Sequence, residues 1–300
     1  PAGRKELADY CLQDSVILPA LDDAAKLTSR VWAMARVIGT IPSNIVERGN
    51  TMLLMIKLKS YTERGKYLIP TFKRKETPDD EEELKGGYVF EPEPKMYYDP
   101  VVVLDFKSLY PSIMMGWNLC YTTIILPGVT TFWKDENKDK FEVFENVPFV
   151  KSTTRRGIVP LIEEDTGNER TRYKNLMKVE EKANGKGSVL YGVYDAMQKA
   201  YKVIMNSLYG MLAASIAQIP CKAIARVITG LGRLSLKQSE DYVNANYEKI
   251  TGHKGGRVIY GDTDSIFVVM PGVPLEKAIS IGMLLDKSIQ RDLFASRPPM

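Results

Sequence analysis

Two short apolar runs, Arg257-Val258-Ile259-Tyr260 and Ile266-Phe267-Val268-Val269, are joined by Gly261-Asp262-Thr263-Asp264-Ser265. Runs of β-branched and aromatic residues this short are strands rather than helices, and a polar Gly/Asp/Thr/Ser link of this length closes a hairpin. A hairpin is antiparallel by construction, so the chain must build sheet around it. A third run, Val101-Val102-Val103-Leu104-Asp105-Phe106, reads as a buried strand that ends on an acid.

The remaining pattern is helical. Apolar residues recur at three- and four-residue spacing over residues 7–18 and 22–38, Pro42-Ser43-Asn44 breaks the pattern, and residues 51–61 resume it. Residues 73–85 are acidic and almost without apolar content, which predicts a solvated loop near a domain boundary. Residues 108–117 turn into a helix with Pro111 in its first turn. Residues 132–150 suggest a surface hairpin or long loop around Asp135-Glu136-Asn137-Lys138-Asp139. Two helices, 161–182 and 194–214, flank a turn at Gly185-Lys186-Gly187. A long helix over 221–247 places Ile224, Val227, Ile228, Leu231 and Leu234 on one face, and a last amphipathic helix covers 275–294. The expected class is α/β (α+β), with an antiparallel sheet and a helical hairpin.

Composition narrows the chemistry. The 300 residues are enough for one large domain or two small ones, and 44% hydrophobic with 26% charged residues is ordinary for a soluble globular protein. No apolar run approaches the roughly 20 residues of a membrane span. The first residues, Pro-Ala-Gly-Arg-Lys, have neither an initiator Met nor a signal-peptide core, and read as a cut inside a longer protein. Cys11, Cys120 and Cys221 are far apart and in no CxxC spacing, so they suggest neither zinc nor a disulfide framework, but three thiols in a reducing compartment. His253 is the only histidine, which leaves carboxylates to hold any metal and points to Mg²⁺ or Mn²⁺. A net charge of +4 barely favours nucleic acid over other partners.

Asp262 and Asp264, one residue apart in the hairpin, would share a face if the strand alternation ran through them, and would grip one cation. Gly261-Asp262-Thr263-Asp264 also suits an ordinary Asp-Gly turn. Asp105 at a strand end is placed like an active-site ligand, or like the N-cap of the helix that follows. If strand and hairpin are neighbours, three carboxylates meet at one sheet edge. Such a cluster needs divalent metal to neutralise it, and two Mg²⁺ ions clamping the oxygens of a phosphoryl transfer fit. On the helical hairpin, Lys202, Asn206 and Tyr209 fall on one stripe, as do Arg170 and Lys174. Packed antiparallel, these stripes present three cations to one anion such as a nucleoside triphosphate; a solvated basic face has the same spacing.

Three segments then become specific. Asp105-Phe106-Lys107-Ser108-Leu109-Tyr110-Pro111-Ser112-Ile113 resembles motif A of B-family DNA polymerases. KVIMNSLYG, from Lys202 to Gly210, resembles their motif B, and YGDTDS, from Tyr260 to Ser265, their motif C, in the family's order. MGWNLCYTT from Met115, FVKSTTRRGIVP from Phe149 and the Arg170/Lys174 segment resemble the delta-type replicative enzymes and their relatives in large DNA viruses. Gly86-Gly87 is similar to the family's linker between exonuclease and palm, without its leading tyrosine. Tyr10-Cys11-Leu12-Gln13-Asp14 resembles the motif that closes the proofreading exonuclease site, with the other exonuclease carboxylates absent.

The resemblance implies a polymerase palm with helical-hairpin fingers, truncated before the thumb. Residues 1–85 would be an exonuclease remnant and helical linker, 86–159 the first part of the palm, 160–215 the fingers and 216–300 the rest of the palm. It implies template-directed DNA synthesis by two-metal nucleotidyl transfer to a primer 3′-hydroxyl, with Asp105, Asp262 and Asp264 catalytic. Asp105, Asp264 and the Phe106 carbonyl would bind Mg²⁺, with Mn²⁺ a substitute. Ser108 and Leu109 would offer backbone amides to the β- and γ-phosphates. Tyr110 would select deoxyribose by excluding a 2′-hydroxyl, and Lys107 would point away from the metals. Arg170, Lys174 and Lys202 would hold the triphosphate with Asn206 beside it, and Tyr209 would pack on the nascent base pair. Tyr10 and Asp14 would be orphaned exonuclease ligands. Implied partners are primer-template DNA, deoxynucleoside triphosphates, a sliding clamp and accessory subunits, with no membrane, in the nucleus or at a viral replication site. Two rival readings use the same acids: a metal-dependent nuclease, which has no use for the Arg170/Lys174/Lys202 stripe, and an inactive polymerase-derived scaffold.

Overall fold

The computed structural model describes residues 2–69, 85–126, 135–215 and 217–297. The acidic loop expected over 73–85 falls, up to residue 84, outside the described residues, as do 132–134 of the stretch expected to form a hairpin. In chain order come α1 (Ala2–Ala25), α2 (Leu27–Ile38), α3 (Pro42–Glu47), α4 (Asn50–Arg64), β1 (Val101–Asp105), α5 (Leu109–Gly116), β2 (Phe141–Phe144), β3 (Val147–Val150), α6 (Ile158–Asn184), α7 (Val189–Ala213), α8 (Lys222–Thr251), β4 (Arg257–Asp262), β5 (Ser265–Val269) and α9 (Leu275–Leu293). The chain divides into two compact units. One joins Pro1–Ser60 to Asp165–Ser207; the other joins Tyr61–Glu164 to Leu208–Met300.

In the first unit, α1 runs through Pro19 and stops at Lys26, which is left-handed (φ 54°). The gap expected between residues 18 and 22 falls instead at Lys26, while α2 ends at Ile38 as expected, capped by Gly39 (φ 86°), whose N–H closes on the Ala35 carbonyl. Pro42 opens α3, where its fixed φ suits the first turn and its missing N–H costs nothing. Lys57 on α4 donates to the Val37 carbonyl at 2.8 Å, tying α4 to the end of α2.

In the second unit, the expected strand and the hairpin form one three-stranded antiparallel sheet, ordered β1-β5-β4. Val102, Leu104 and Phe106 point into a core built from Ile266 and Val268 of β5, Leu236, Val243 and Tyr247 of α8, and Ile281, Leu285 and Ile289 of α9. Val101 and Val103, on the other face, are 39% and 50% exposed. The strand expected to be buried is therefore half-buried: α8 and α9 both cover the same face of the sheet, and residue alternation leaves the other open. On α8 the buried face continues through Ser235, Leu236 and Ser239, while Leu234 is 51% exposed. Ten residues after Ile224 the helix has turned by roughly 280° beyond whole turns, and eleven residues bring Ser235 back to the buried side.

The hairpin expected around residues 135–139 turns later. Asp135–Lys140 is a 3-10 helix, and β2 pairs with β3 through Glu145 and Asn146, both at positive φ (46° and 62°). That is the backbone a two-residue turn demands of whatever occupies it. Glu145 then pairs with Arg226 and Arg233 of α8, 3.6 Å from each. Between α5 and α6, the buried Asn118 (φ 57°) is a structural node. Its amide donates to the Val150 and Arg155 carbonyls at 2.8 Å, and its Oδ1 accepts the Gly157 N–H at 2.8 Å.

Candidate active site

Asp105 is the last residue of β1 and Asp262 the last of β4, and both pair with Ser265, the first residue of β5. Strand register alone thus brings these acids to one end of the sheet. One step further on, the Phe106 N–H donates to the Asp264 carbonyl at 2.8 Å, which fixes Asp264 beside the β1 end. The alternation expected to align Asp262 with Asp264 does not run through the turn. Thr263 between them is left-handed (φ 53°), a conformation rare for a β-branched residue. Its N–H is held by the Tyr88 carbonyl at 2.9 Å, and its hydroxyl donates to Asp262 Oδ1 at 2.9 Å. The N-cap of α5 is Ser108, so Asp105 is a strand-end acid and not a cap.

Asp264 is pushed above the usual carboxylate range, first by partial burial, then by the charge of Asp105, and last by Asp262, against a backbone hydrogen bond that lowers it. Asp264 is therefore coupled more to Asp105 than to its sequence neighbour. Among the described residues, no three His, Cys, Asp or Glu side chains converge into a ready-made ligand set. The structure brings Asp105 and Asp264 together and leaves Asp262 exposed, bonded to Thr263. The donors on hand, two carboxylates and the Phe106 carbonyl, are all oxygen, which fits a hard divalent cation. Such an ion would relieve the repulsion between the two acids.

Next to the acids, Ser108 is left-handed (φ 54°) and α5 starts at once, so the first amides of its N-terminal turn have no intrahelical acceptor. Tyr110 on that turn packs against Tyr209 of α7, with ring centroids 4.6 Å apart. Burial is the main influence raising both hydroxyls; the Arg233 guanidinium pulls both down, and Tyr209 and the Asp264 charge push Tyr110 further up. Lys107 is exposed. Sequence reasoning did not single out Arg233, which also donates to the Lys85 and Gly86 carbonyls at 3.0 Å. The signal was available: Gly230 and Gly232 inside an otherwise strong helix mark a close approach, since each costs helix stability that packing must offset.

In the other unit, ring contacts fix the pairing of α6 with α7. Tyr173 stacks on Tyr201 at 5.8 Å and meets Tyr194 at 6.1 Å, and a Cβ on Gly167 would lie 3.5 Å from the Met205 methyl. The helices are therefore antiparallel, as expected. Arg170 and Lys202 lie at one level, between the 173–201 and 167–205 contacts. The Arg170 Nε is buried without a hydrogen-bond partner. Lys174, Lys202 and Asn206 are exposed. Tyr10 and Asp14 lie one turn apart on the exposed length of α1.

One unit thus carries paired acids at a sheet end, and the other an antiparallel helix pair that bears cations. The chain belongs to DNA polymerase family B, whose sequence profile matches residues 41–297. It is 33% identical over 284 residues to the DNA polymerase delta catalytic subunit of Drosophila melanogaster, covering 93% of this chain and 25% of that protein. The Plasmodium falciparum delta catalytic subunit is 33% identical over 300 residues, covering 98% and 27%. Among solved structures, the family B DNA polymerase of the hyperthermophilic archaeon Pyrobaculum calidifontis matches with a TM-score of 0.67 at 28% identity, over 97% of this chain and 34% of that one. The chain spans about a quarter of the length of the curated relatives it matches.

Proposed function

We propose that this chain performs template-directed DNA synthesis, in which a primer 3′-hydroxyl attacks the α-phosphorus of a deoxynucleoside triphosphate and pyrophosphate leaves. The observation that carries the reading is the placement of Asp105 and Asp264 side by side at one end of the sheet, fixed by the Phe106 N–H to Asp264 carbonyl bond, beside the Tyr110–Tyr209 ring contact. Asp105, Asp264 and the Phe106 carbonyl would hold two Mg²⁺ ions, for which Mn²⁺ would substitute. Bound there, the ions supply positive charge to the attacking and leaving oxygens. Asp262 adds negative charge nearby without being a principal ligand.

The chain's own residues do the positioning on which phosphoryl transfer depends. The Ser108 and Leu109 amides bind the β- and γ-phosphates at a helix start, where orphan N–H groups favour anions. Tyr110 lies under the incoming sugar and excludes a 2′-hydroxyl by bulk, and Tyr209 packs on the nascent base pair. Arg170, Lys174 and Lys202 hold the triphosphate, with Asn206 beside it; the unpartnered, buried Arg170 Nε supports a ligand there. In this reading residues 86–159 and 216–300 form the palm, 160–215 the fingers, and Tyr10 and Asp14 belong to an exonuclease motif. Primer-template DNA is the macromolecular partner. A sliding clamp and accessory subunits belong with it, in the nucleus or at a viral replication site. No helix among the described residues is long and apolar enough to cross a membrane.

The test is Asp264→Ala in the protein at its full natural length. Nucleotide addition with Mg²⁺ should fall by about 1000-fold or more, while primer-template affinity changes little. Retained incorporation would remove the metal assignment.

A further inference from the structure

Tyr110 has a wall behind it that no motif reading assigns. A Cβ built on Gly232 of α8 would lie 3.3 Å from the Tyr110 Cε1, 3.5 Å from the Leu109 Cδ2 and 3.7 Å from the Ile113 Cδ1. The first distance is tighter than ordinary carbon contact, so glycine leaves room behind the Tyr110 ring that any side chain at 232 would take up. Gly232 is buried, and Ala in its place would gain helix propensity. A mid-helix glycine that gives up this gain is explained by the ring lying against it. On its other contacts the ring meets Tyr209 at 4.6 Å between centroids and feels the charge of Asp264. A ring pushed off α8 therefore moves into the space it shares with Tyr209 and Asp264.

We propose that Gly232 is a positioning residue for sugar selection: it sets the depth of the Tyr110 ring and so the room left for a 2′-hydroxyl. This rests on the reading of Tyr110 as the sugar gate given above. A methyl group at position 232 moves the ring a few tenths of an ångström toward the substrate and removes the slack into which it would otherwise recoil. A ribonucleotide then pays more than a deoxynucleotide, because only the ribose presents an oxygen to the ring.

The experiment is single-nucleotide primer extension by the protein at its full natural length, comparing kcat/KM for deoxy- and ribonucleoside triphosphates in wild type, Gly232→Ala, Tyr110→Ala and the double variant. Gly232→Ala should raise the deoxy-over-ribo ratio by roughly three- to tenfold, the scale on which a misplacement of a few tenths of an ångström acts. Most of the change should lie in the ribonucleotide KM. Tyr110→Ala should collapse the ratio, and adding Gly232→Ala to it should then change nothing, because the ring that transmits the effect is gone. An unchanged ratio in Gly232→Ala alongside a collapse in Tyr110→Ala overturns the role of Gly232 alone. An unchanged ratio in Tyr110→Ala overturns the gate itself, and the inference with it. Should Gly232→Ala fail to fold, the double variant must fold, since truncating the ring clears the tightest contact. Failure of both would place the crowding elsewhere and overturn the proposal.

Discussion

Glu163 is the residue whose chemistry is least expected from its surroundings. It is fully buried in α6, and neither carboxylate oxygen has a hydrogen-bond partner. Burial alone pushes it well above its ordinary value of 4.5. A group whose folded pKa is raised binds its proton more tightly in the folded chain. Stability is then full below the unfolded value and is lost as pH rises from there toward the folded value. Glu163→Leu removes that penalty and should stabilise the protein by about 2 kcal/mol at pH 7, the cost of burying an unpaired polar group. Denaturant melts at pH 5 and pH 8 would check it: the gap between variant and wild type should widen at the higher pH. A gap independent of pH would mean the carboxyl titrates alike in the folded and unfolded chain, and would overturn the burial penalty.

At the scale of elements, two connections decide what the helices can do. The loop from α5 to α6 is organised around Asn118, whose side chain satisfies three backbone groups and whose left-handed backbone suits Asn better than Ala. Asn118→Ala strands two carbonyls and one N–H and should cost about 3 kcal/mol or more, read as a lowered denaturation midpoint with unchanged slope. The α6–α7 pair is held by Tyr173, Tyr194 and Tyr201, and burial together with the Glu169 charge and Tyr173 raises the Tyr201 hydroxyl to about 12. This aromatic packing sets which residues share a level along the pair. Lys202→Ala leaves the packing alone and removes one cation. It should raise the deoxynucleotide KM by roughly tenfold or more with a smaller effect on kcat, the mark of lost ground-state binding. An unchanged KM in steady-state extension would withdraw Lys202 from the triphosphate site.

For the molecule as a whole, the repulsion between Asp105 and Asp264 predicts that a divalent cation stabilises the fold. Mg²⁺ or Mn²⁺ at tens of times its dissociation constant should add about 2 kcal/mol, seen as a higher Tm, and Asp264→Ala should lose that increment. A Tm indifferent to Mg²⁺ in the wild type would mean the acids need DNA or nucleotide to form the site. Much of this protein is legible one residue at a time. β-Branched runs and the Gly-Asp-Thr-Asp-Ser link dictate the hairpin, three- and four-residue apolar spacing dictates the helices, and the motif residues point to the site. These are local signals, carried by dihedral preference and periodicity. What only the tertiary structure decided is what depends on partners distant in sequence. Val101 and Val103 are open because α8 and α9 both cover the same face of the sheet. Asp264 couples to Asp105 more than to Asp262 because Thr263 turns left-handed against Tyr88 and the Phe106 N–H holds the far side of the turn. Gly232 matters because a tyrosine more than a hundred residues earlier lies on it. Periodicity says which face of an element is apolar, but the neighbour that occupies that face is chosen by packing of the whole chain, and no local pattern encodes it.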